Sequence, residues 1–224
     1  MEFSFKIIKI TINWLLEILM PSTCLGCQMK GEILCSDCLI KIDRSEKETD
    51  KNIIAAFSYH DPLIKKVIWN LKYYHRSYLG QKLGETLYNE LLEDISDIQI
   101  YTAGHPIWVI PVPISKSKTK IRGYNQAKKI AVGFCSKGDK QIFNLKNNII
   151  IKKVETIPQA RITNRSRRLK NIQGAFKIKN SNEIKGKTII VIDDVTTTGG
   201  TISEIINILK KAGAKKVIGF AVAH

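Results

Sequence analysis

No uncharged apolar run of membrane-spanning length occurs in the chain. Its most apolar segment, Phe3 to Met20, carries Lys6, Lys9 and Glu17 within it, whereas a span needs about 20 predominantly apolar residues. Stable membrane insertion is therefore not expected. No small-residue cleavage pattern follows the segment, and Pro21-Ser22-Thr23 ahead of Cys24 is not the approach to a lipoprotein cysteine. The expectation is an amphipathic helix packed on the protein itself or on a partner, in a cytoplasmic protein. Histidine is scarce as well: His60, His75, His105 and His224 share no spacing that suggests a metal set or a catalytic dyad. Internal repeats and low-complexity tracts are missing, which excludes solenoid architectures and compositional disorder. What remains is 224 residues, 44% hydrophobic and 25% charged, enough for one ordinary core with a small appended module.

The formal net charge of +16 is one-sided along the chain. Between Ser115 and Lys185 there are 19 Lys/Arg against Asp139, Glu155 and Glu183, and the rest of the sequence balances. A concentrated positive field attracts polyanions such as pyrophosphate or nucleic acid. A lysine-rich composition with solvated charges accounts equally well for the lysines, but not for arginines grouped near a motif.

Cys24 and Cys27 form one Cys-x-x-Cys and Cys35 and Cys38 a second, seven residues on. Two such knuckles match a tetrahedral structural zinc site. A reducing compartment disfavours the disulfide alternative. With four protein ligands the ion has no open position, so it would fold the knuckle and take no part in catalysis. Cys135 is left over, in a helical apolar pattern where a buried free thiol is the ordinary explanation. The polar run from Lys41 to Asn52 reads as a linker. The division expected is residues 1–50 for the N-terminal helix, cysteine module and linker, and 51–224 for the main domain.

Chemistry concentrates in VIDDVTTTGGT, Val191 to Thr201. Lys187 to Ile192 is a buried-type strand, Ile202, Ile205, Ile206, Leu209 and Ala212 recur at helical spacing up to Gly213, and Lys216 to Val222 is the next strand. The loop thus lies beyond the carboxyl end of a strand, where open α/β sheets bind ligands. Gly199 and Gly200 let backbone amides turn inward, and Thr196, Thr197 and Thr198 add hydroxyl donors. Thr201 and Glu204 have the spacing of a capping box. A phosphate would meet amides, hydroxyls and a helix N-terminus together. Asp193 and Asp194, acceptors only when ionised, suit the two hydroxyls of a ribose diol. The ligand implied is a ribose 5-phosphate. Asp-Asp and Gly-Gly also punctuate ordinary turns, but the conjunction of strand, acids, Thr loop, glycines and helix favours a site. No Walker-type lysine follows the glycines, which argues against a nucleotide triphosphatase.

Elsewhere, Ile53 to Tyr59 reads as a strand. Asp61-Pro62 opens a helix with Leu63, Ile64, Val67, Ile68 and Leu71 on one face, ending near Lys72. Leu79, Leu83, Leu87 and Leu91 mark a second helix. Ile107 to Val112 is another buried-type strand, followed by a basic loop over Ile114 to Ile121. Arg122-Gly123-Tyr124-Asn125-Gln126 then leads into a helix through Ala127, Ile130, Ala131 and Phe134. A Pro-flanked strand end followed by a cationic turn is a sensible pyrophosphate holder, although an ordinary solvated loop reads the same. Ile149 to Val154 is a further strand. The polar, Arg-rich stretch beyond it suits either a mobile hood over an anionic ligand or a nucleic-acid-facing loop.

The VIDDVTTTGGT stretch resembles the phosphoribosyl-pyrophosphate (PRPP) motif of type I phosphoribosyltransferases. By that resemblance Asp193 and Asp194 hold the ribose hydroxyls, and Val195, Thr196, Thr197, Thr198, Gly199, Gly200 and Thr201 the 5-phosphate. The cysteine knuckles, LKY at Leu71 to Tyr73, PVP and RGYNQA at Pro111 to Ala127, Gln159, RLKNIQGAF at Arg168 to Phe176 and VIDDVTTTGGT, in that order, resemble the ComF (GntX-like) competence family. The resemblance implies an α/β protein of the type I phosphoribosyltransferase fold, a mostly parallel sheet flanked by helices, with a small N-terminal four-cysteine zinc module. It implies that Lys72, Arg122, Gln159, Arg168 and Asn171 contribute to the site, with Gly123 in the pyrophosphate turn. It also implies a role in competence and DNA uptake.

Two functions follow. The first is an enzyme that displaces pyrophosphate from PRPP with the help of Mg²⁺, for which phosphates and diol supply the oxygen ligands. No side chain announces itself as the general base. The second is a non-catalytic PRPP- or nucleotide-sensing adaptor. It would bind single-stranded DNA through the basic stretch, with Tyr124 stacking on a base, and dock a helicase-type partner of the import machinery through the zinc knuckle.

Overall fold

The computed structural model describes residues 22–45, 52–153 and 174–224. The expected N-terminal helix and the residues Gln159, Arg168 and Asn171 lie outside the described residues. The chain divides into two compact units, Met1–Ile42 and Asp43–His224. Residues 43–45, assigned above to the linker, hydrogen-bond within the larger unit: the Ser58 amide donates to Asp43 O (2.8 Å) and the Ser45 amide to Ala56 O (3.1 Å). Among the described residues no helix is long and apolar enough to cross a membrane.

In the small unit the chain turns back on itself between Cys24 and Ile33. The Gln28 amide donates to Cys24 O (3.0 Å), that of Cys24 to Met29 O (2.8 Å) and that of Leu25 to Ile33 O (2.9 Å). Helix α1, Ser36–Ile40, follows and carries Cys38 on its buried side.

The larger unit is built on a five-stranded sheet in the order β1-β7-β6-β2-β3, with every pair parallel. The strands are β1 Ile53–Phe57, β2 Ile107–Pro111, β3 Phe143–Leu145, β6 Thr188–Val195 and β7 Lys216–Ala223. Their near-continuous apolar runs are those of strands covered on both faces. Ile189 and Val191 of β6 join a cluster with Ile202, Ile205, Ile206 and Leu209 of helix α7, Gly200–Lys211. Residues of the other parity face the opposite side. There Phe220 of β7 and Phe143 of β3 meet Phe134 at ring distances of 6.0 and 5.6 Å. Phe134 belongs to α6, Gln126–Lys137.

Helices α2, Pro62–Tyr73, α3, Tyr78–Glu90, and α4, Leu92–Thr102, connect β1 to β2. Asp61 caps α2 as expected, its Oδ1 accepting from the amides of Leu63 (2.7 Å) and Ile64 (2.9 Å) ahead of Pro62. Glycines let α3 and α6 touch backbone to backbone. A Cβ at Gly84 would lie 2.0 Å from Ile130 O, and one at Gly133 2.0 Å from Gln81 O. This contact fixes α6, and with it the turn that enters α6.

Several sequence expectations are corrected. The basic loop over Ile114 to Ile121 is a helix, α5, Lys116–Arg122, with Ser115 as its N-cap and Gly123 (φ +76°) closing it. The Thr201/Glu204 capping box does not form. Helix α7 starts earlier, at Gly200 behind Gly199 (φ +71°), and no side chain caps it. Glu204 Oε1 instead accepts the Gly174 amide at 2.8 Å. The strand expected over Ile149 to Val154 is β4, Ile150–Lys152, paired antiparallel with β5, Phe176–Ile178, outside the main sheet. The sequence carries no separate signal for helix α4 or strand β3, since α4 follows α3 directly and β3 is only three residues long. Cys135 is half-buried, and burial pushes its thiol up to about 12.

Candidate functional site

Two adjacent strands send their chains in opposite directions. From β6 the path runs through α7 to β7 on one side, and from β2 through α5 and α6 to β3 on the other. The carboxyl ends of β6 and β2 therefore flank a topological switch point, where an open α/β sheet forms its ligand crevice. The ends are tied together, the Val112 amide donating to Ile192 O at 2.9 Å.

On the β6 side, Asp193 and Asp194 belong to the strand itself, Asp193 in register with Ala221 of β7. Asp194 is buried at 8% exposure and Asp193 half-buried. Burial first, and then the neighbouring charge of Asp194, push the Asp193 carboxyl up to about 7. Its Oδ1 accepts the Asp194 amide at 2.9 Å. Beyond the strand, Thr196 is fastened by its amide to Ala223 O (2.9 Å), and Thr197 O lies 3.0 Å from His224 Nε2. Asp193, Val195, Thr196, Thr197, Thr198, Gly199, Gly200 and Thr201 line a shallow depression. Thr198 Oγ1 is buried beside it and, among the described residues, has no hydrogen-bond partner. An unpaired buried hydroxyl is costly unless a ligand satisfies it. Helix α7 begins at the loop's end, so its free amides add partial positive charge there.

The facing side is cationic. Lys72, in the last turn of α2, places Nζ 3.0 Å from Asp194 Oδ1, with both side chains mostly shielded, 19% and 12% exposed. Tyr124 donates its hydroxyl to Leu71 O, holding that turn of α2 against the Gly123 turn. Arg122 Nη1 donates to Gln126 Oε1 at 2.9 Å, and its guanidinium sits 5.5 Å from the Tyr73 ring centre. Asn125 Nδ2 donates to Val112 O (2.9 Å), pinning the turn to the end of β2.

The structure therefore pairs Lys72 with Asp194, next to Asp193 and the Thr loop, and sets Arg122 against Tyr73 in the Gly123 turn beside Lys72. Lys118, unremarked in the sequence, belongs with them. It is half-buried on α5. Burial lowers its ammonium, as do the charges of Arg122 and Lys72, while Asp194 and Asp193 act in the opposite direction. The signal for it is Ser115, a cap residue, followed by Lys118 and Arg122 at helical spacing.

In the small unit the Sγ atoms of Cys24, Cys27, Cys35 and Cys38 all lie within 4.8 Å of one another. Cys24 and Cys35 are 3.6 Å apart and Cys27 and Cys35 3.7 Å. A tetrahedron with Zn–S bonds of about 2.3 Å has S···S edges of about 3.8 Å, far beyond the roughly 2 Å of a disulfide. The Gly26 amide points at Cys24 Sγ at 3.4 Å, the polar support a metal-bound thiolate uses.

Topology and crevice together define a type I phosphoribosyltransferase fold, joined to an N-terminal four-cysteine cluster. Residues 146–224 match the family described as phosphoribosyl transferase domain. Competence protein F of Haemophilus influenzae is 29% identical over 96% of this chain and 95% of that protein. The DNA utilization protein YhgH of Escherichia coli K12 is 23% identical over 75% of this chain and 69% of its own length. Among solved structures, hypoxanthine phosphoribosyl transferase of Trypanosoma cruzi covers 63% of this chain and 64% of its own, with 10% identity and a TM-score of 0.38. The chain is thus a homologue of competence protein F that carries a phosphoribosyl transferase domain.

Proposed function

We propose that the crevice binds PRPP and that the protein transfers the phosphoribosyl group to an acceptor with release of pyrophosphate, in the context of DNA uptake and utilisation. The observation that carries this is the pairing of two walls. One is an acid pair followed by a Thr/Gly loop with an orphaned buried hydroxyl, and the other is a cluster of cations across the switch point. Asp193 and Asp194 accept from the ribose hydroxyls and steady the ring as positive charge builds at the anomeric carbon. The Thr196 to Thr201 loop and the start of α7 take the 5-phosphate. Lys72 and Arg122 face the pyrophosphate, the leaving group on which negative charge accumulates.

Mg²⁺ fits this donor set. The described crevice offers two carboxylates, one of them engaged by Lys72, so an ion here would be held by diol and pyrophosphate oxygens. When bound it would neutralise charge on the leaving group. Zinc held by Cys24, Cys27, Cys35 and Cys38 would be structural.

The competence and DNA-utilisation relatives support the setting. The test is titration of the purified protein with PRPP and ribose 5-phosphate in Mg²⁺, together with pyrophosphate exchange. Absence of binding, or binding unaffected by Asp193→Asn with Asp194→Asn, rejects the reading.

A second reading, an adaptor for single-stranded DNA, is favoured by an aromatic strip beside the crevice. Trp69 and Tyr73 are 56% and 49% exposed with ring centres 4.4 Å apart, and Tyr74 and Tyr78 lie exposed next to them in sequence. Exposed rings next to cations stack unpaired bases. These residues, and not the hydroxyl-tethered Tyr124, offer the stacking surface. Salt-dependent oligonucleotide binding that Trp69→Ala leaves unchanged counts against this strip.

A further inference from the structure

We propose that Lys118 is a pyrophosphate-binding residue of the crevice, completing with Lys72 and Arg122 a three-cation cradle for the leaving group. This rests on the PRPP reading and deepens it by one residue that no motif names.

Three observations carry it. Lys118 and Arg122 are four residues apart on α5 and so share a face. The helix is closed at both ends by its own caps. The Ser115 hydroxyl accepts the Lys118 amide at 3.4 Å, and the Gly123 amide donates to Thr119 O at 2.8 Å. Burial then separates this lysine from its neighbours: Lys116 and Lys120 on the same helix are exposed, whereas Lys118 is half-buried. A lysine withdrawn from water ordinarily has a carboxylate partner. Among the described residues the Lys118 ammonium has neither an ion pair nor a hydrogen bond, and it is Lys72 that takes Asp194. Finally, the charges that act on Lys118 are those of the crevice itself, Arg122 and Lys72 against Asp194 and Asp193.

Gathering three cations against two carboxylates is unfavourable by itself. A dianionic or more highly charged ligand reverses the sign, since each cation then meets phosphate oxygens in a partly dehydrated setting. Ribose 5-phosphate alone does not reach this wall, because its phosphate belongs to the Thr loop. Lys118 should therefore distinguish ligands that carry pyrophosphate from those that do not.

The experiment titrates the full-length protein with Mg²⁺-pyrophosphate, PRPP and ribose 5-phosphate, comparing Lys118→Gln, Lys118→Arg and Lys120→Gln. The result expected is a loss of roughly tenfold to a hundredfold in affinity for pyrophosphate and PRPP in Lys118→Gln, the size of a charge-assisted hydrogen bond. Ribose 5-phosphate binding stays unchanged, Lys118→Arg recovers part of the loss, and Lys120→Gln has no effect. Equal losses for all three ligands would show a structural role and overturn the proposal. So would wild-type pyrophosphate affinity in Lys118→Gln, with the PRPP reading left intact. A wild-type protein that binds none of the three ligands rejects the PRPP reading and the cradle together.

Discussion

Lys72 Nζ stands 3.0 Å from Asp194 Oδ1, so a cation of the proposed leaving-group wall neutralises a carboxylate of the proposed ribose wall. The two residues are 122 positions apart in the chain, and the Tyr124 hydroxyl bonded to Leu71 O ties the turn that carries Lys72 to the Gly123 turn. Such a pair competes with ligand at both ends, since ribose hydroxyls need Asp194 and pyrophosphate needs Lys72.

Removing the lysine separates these roles. Lys72→Met leaves a mostly shielded carboxylate without its partner and should lower stability by about 1–3 kcal/mol, measured by urea unfolding. PRPP affinity should fall, while ribose 5-phosphate affinity should hold or rise because Asp194 is released. Parallel losses for both ligands would contradict the arrangement.

A pH dependence follows from Asp193, whose carboxyl stands at about 7 against an ordinary 3.8. The folded form holds a proton that the unfolded form has lost between these values. Stability of the free protein from this group therefore rises as pH falls from about 7 toward 4, and is lost as pH rises. Ribose 5-phosphate binding should show the opposite trend, weakening by up to about tenfold per unit below pH 7, because the ionised carboxylate accepts from hydroxyls more strongly, and at both oxygens, than the protonated acid does. Asp193→Asn, in which the ligand's own titration is unchanged, should remove the protein's share of both trends.

Thr198 sets stability against binding. Thr198→Val deletes a buried hydroxyl that has no partner among the described residues, so the melting temperature should stay level or rise slightly. Affinity for ribose 5-phosphate should fall several-fold or more, read by calorimetry. A variant that binds as tightly as wild type would remove this hydroxyl from the phosphate site.

At Gly84, helix propensity alone predicts that alanine stabilises by about 1 kcal/mol. The close approach to Ile130 O predicts the reverse, a loss of about 1–3 kcal/mol or more as α3 and α6 are pushed apart. The urea midpoint of Gly84→Ala decides between them, and a gain would mean that the two helices are free to separate.

Metal content tests the small unit. One zinc per chain is expected by elemental analysis, falling in Cys24→Ser. A strong chelator should melt residues 22–42, followed by amide exchange, since a four-thiolate knuckle of this size has little other core. Retention of exchange protection without metal would refute a zinc-dependent fold.

Much of this was legible in the chain itself. The runs at Ile107 and Thr188 are apolar enough to specify strands buried on both faces, and Asp61-Pro62 marks a helix start by chemistry that acts within three residues. The knuckle spacing and VIDDVTTTGGT are likewise local, because a turn, a thiolate pair or a phosphate loop needs only neighbours in sequence. Where propensity is weak, the neighbours did not decide. Helix α5 is a basic segment with no buried face of its own, and it is recognisable only from Ser115 and Gly123 at its two ends. Glu204 has capping-box spacing, yet it takes the Gly174 amide because α7 begins at Gly200. The sequence by itself thus determined the fold class, the acid pair and the cysteine cluster. Only the tertiary structure decided that Lys72, Lys118 and Arg122 gather opposite those acids, because burial and charge at that wall depend on three segments meeting across a switch point, and no local pattern encodes that meeting.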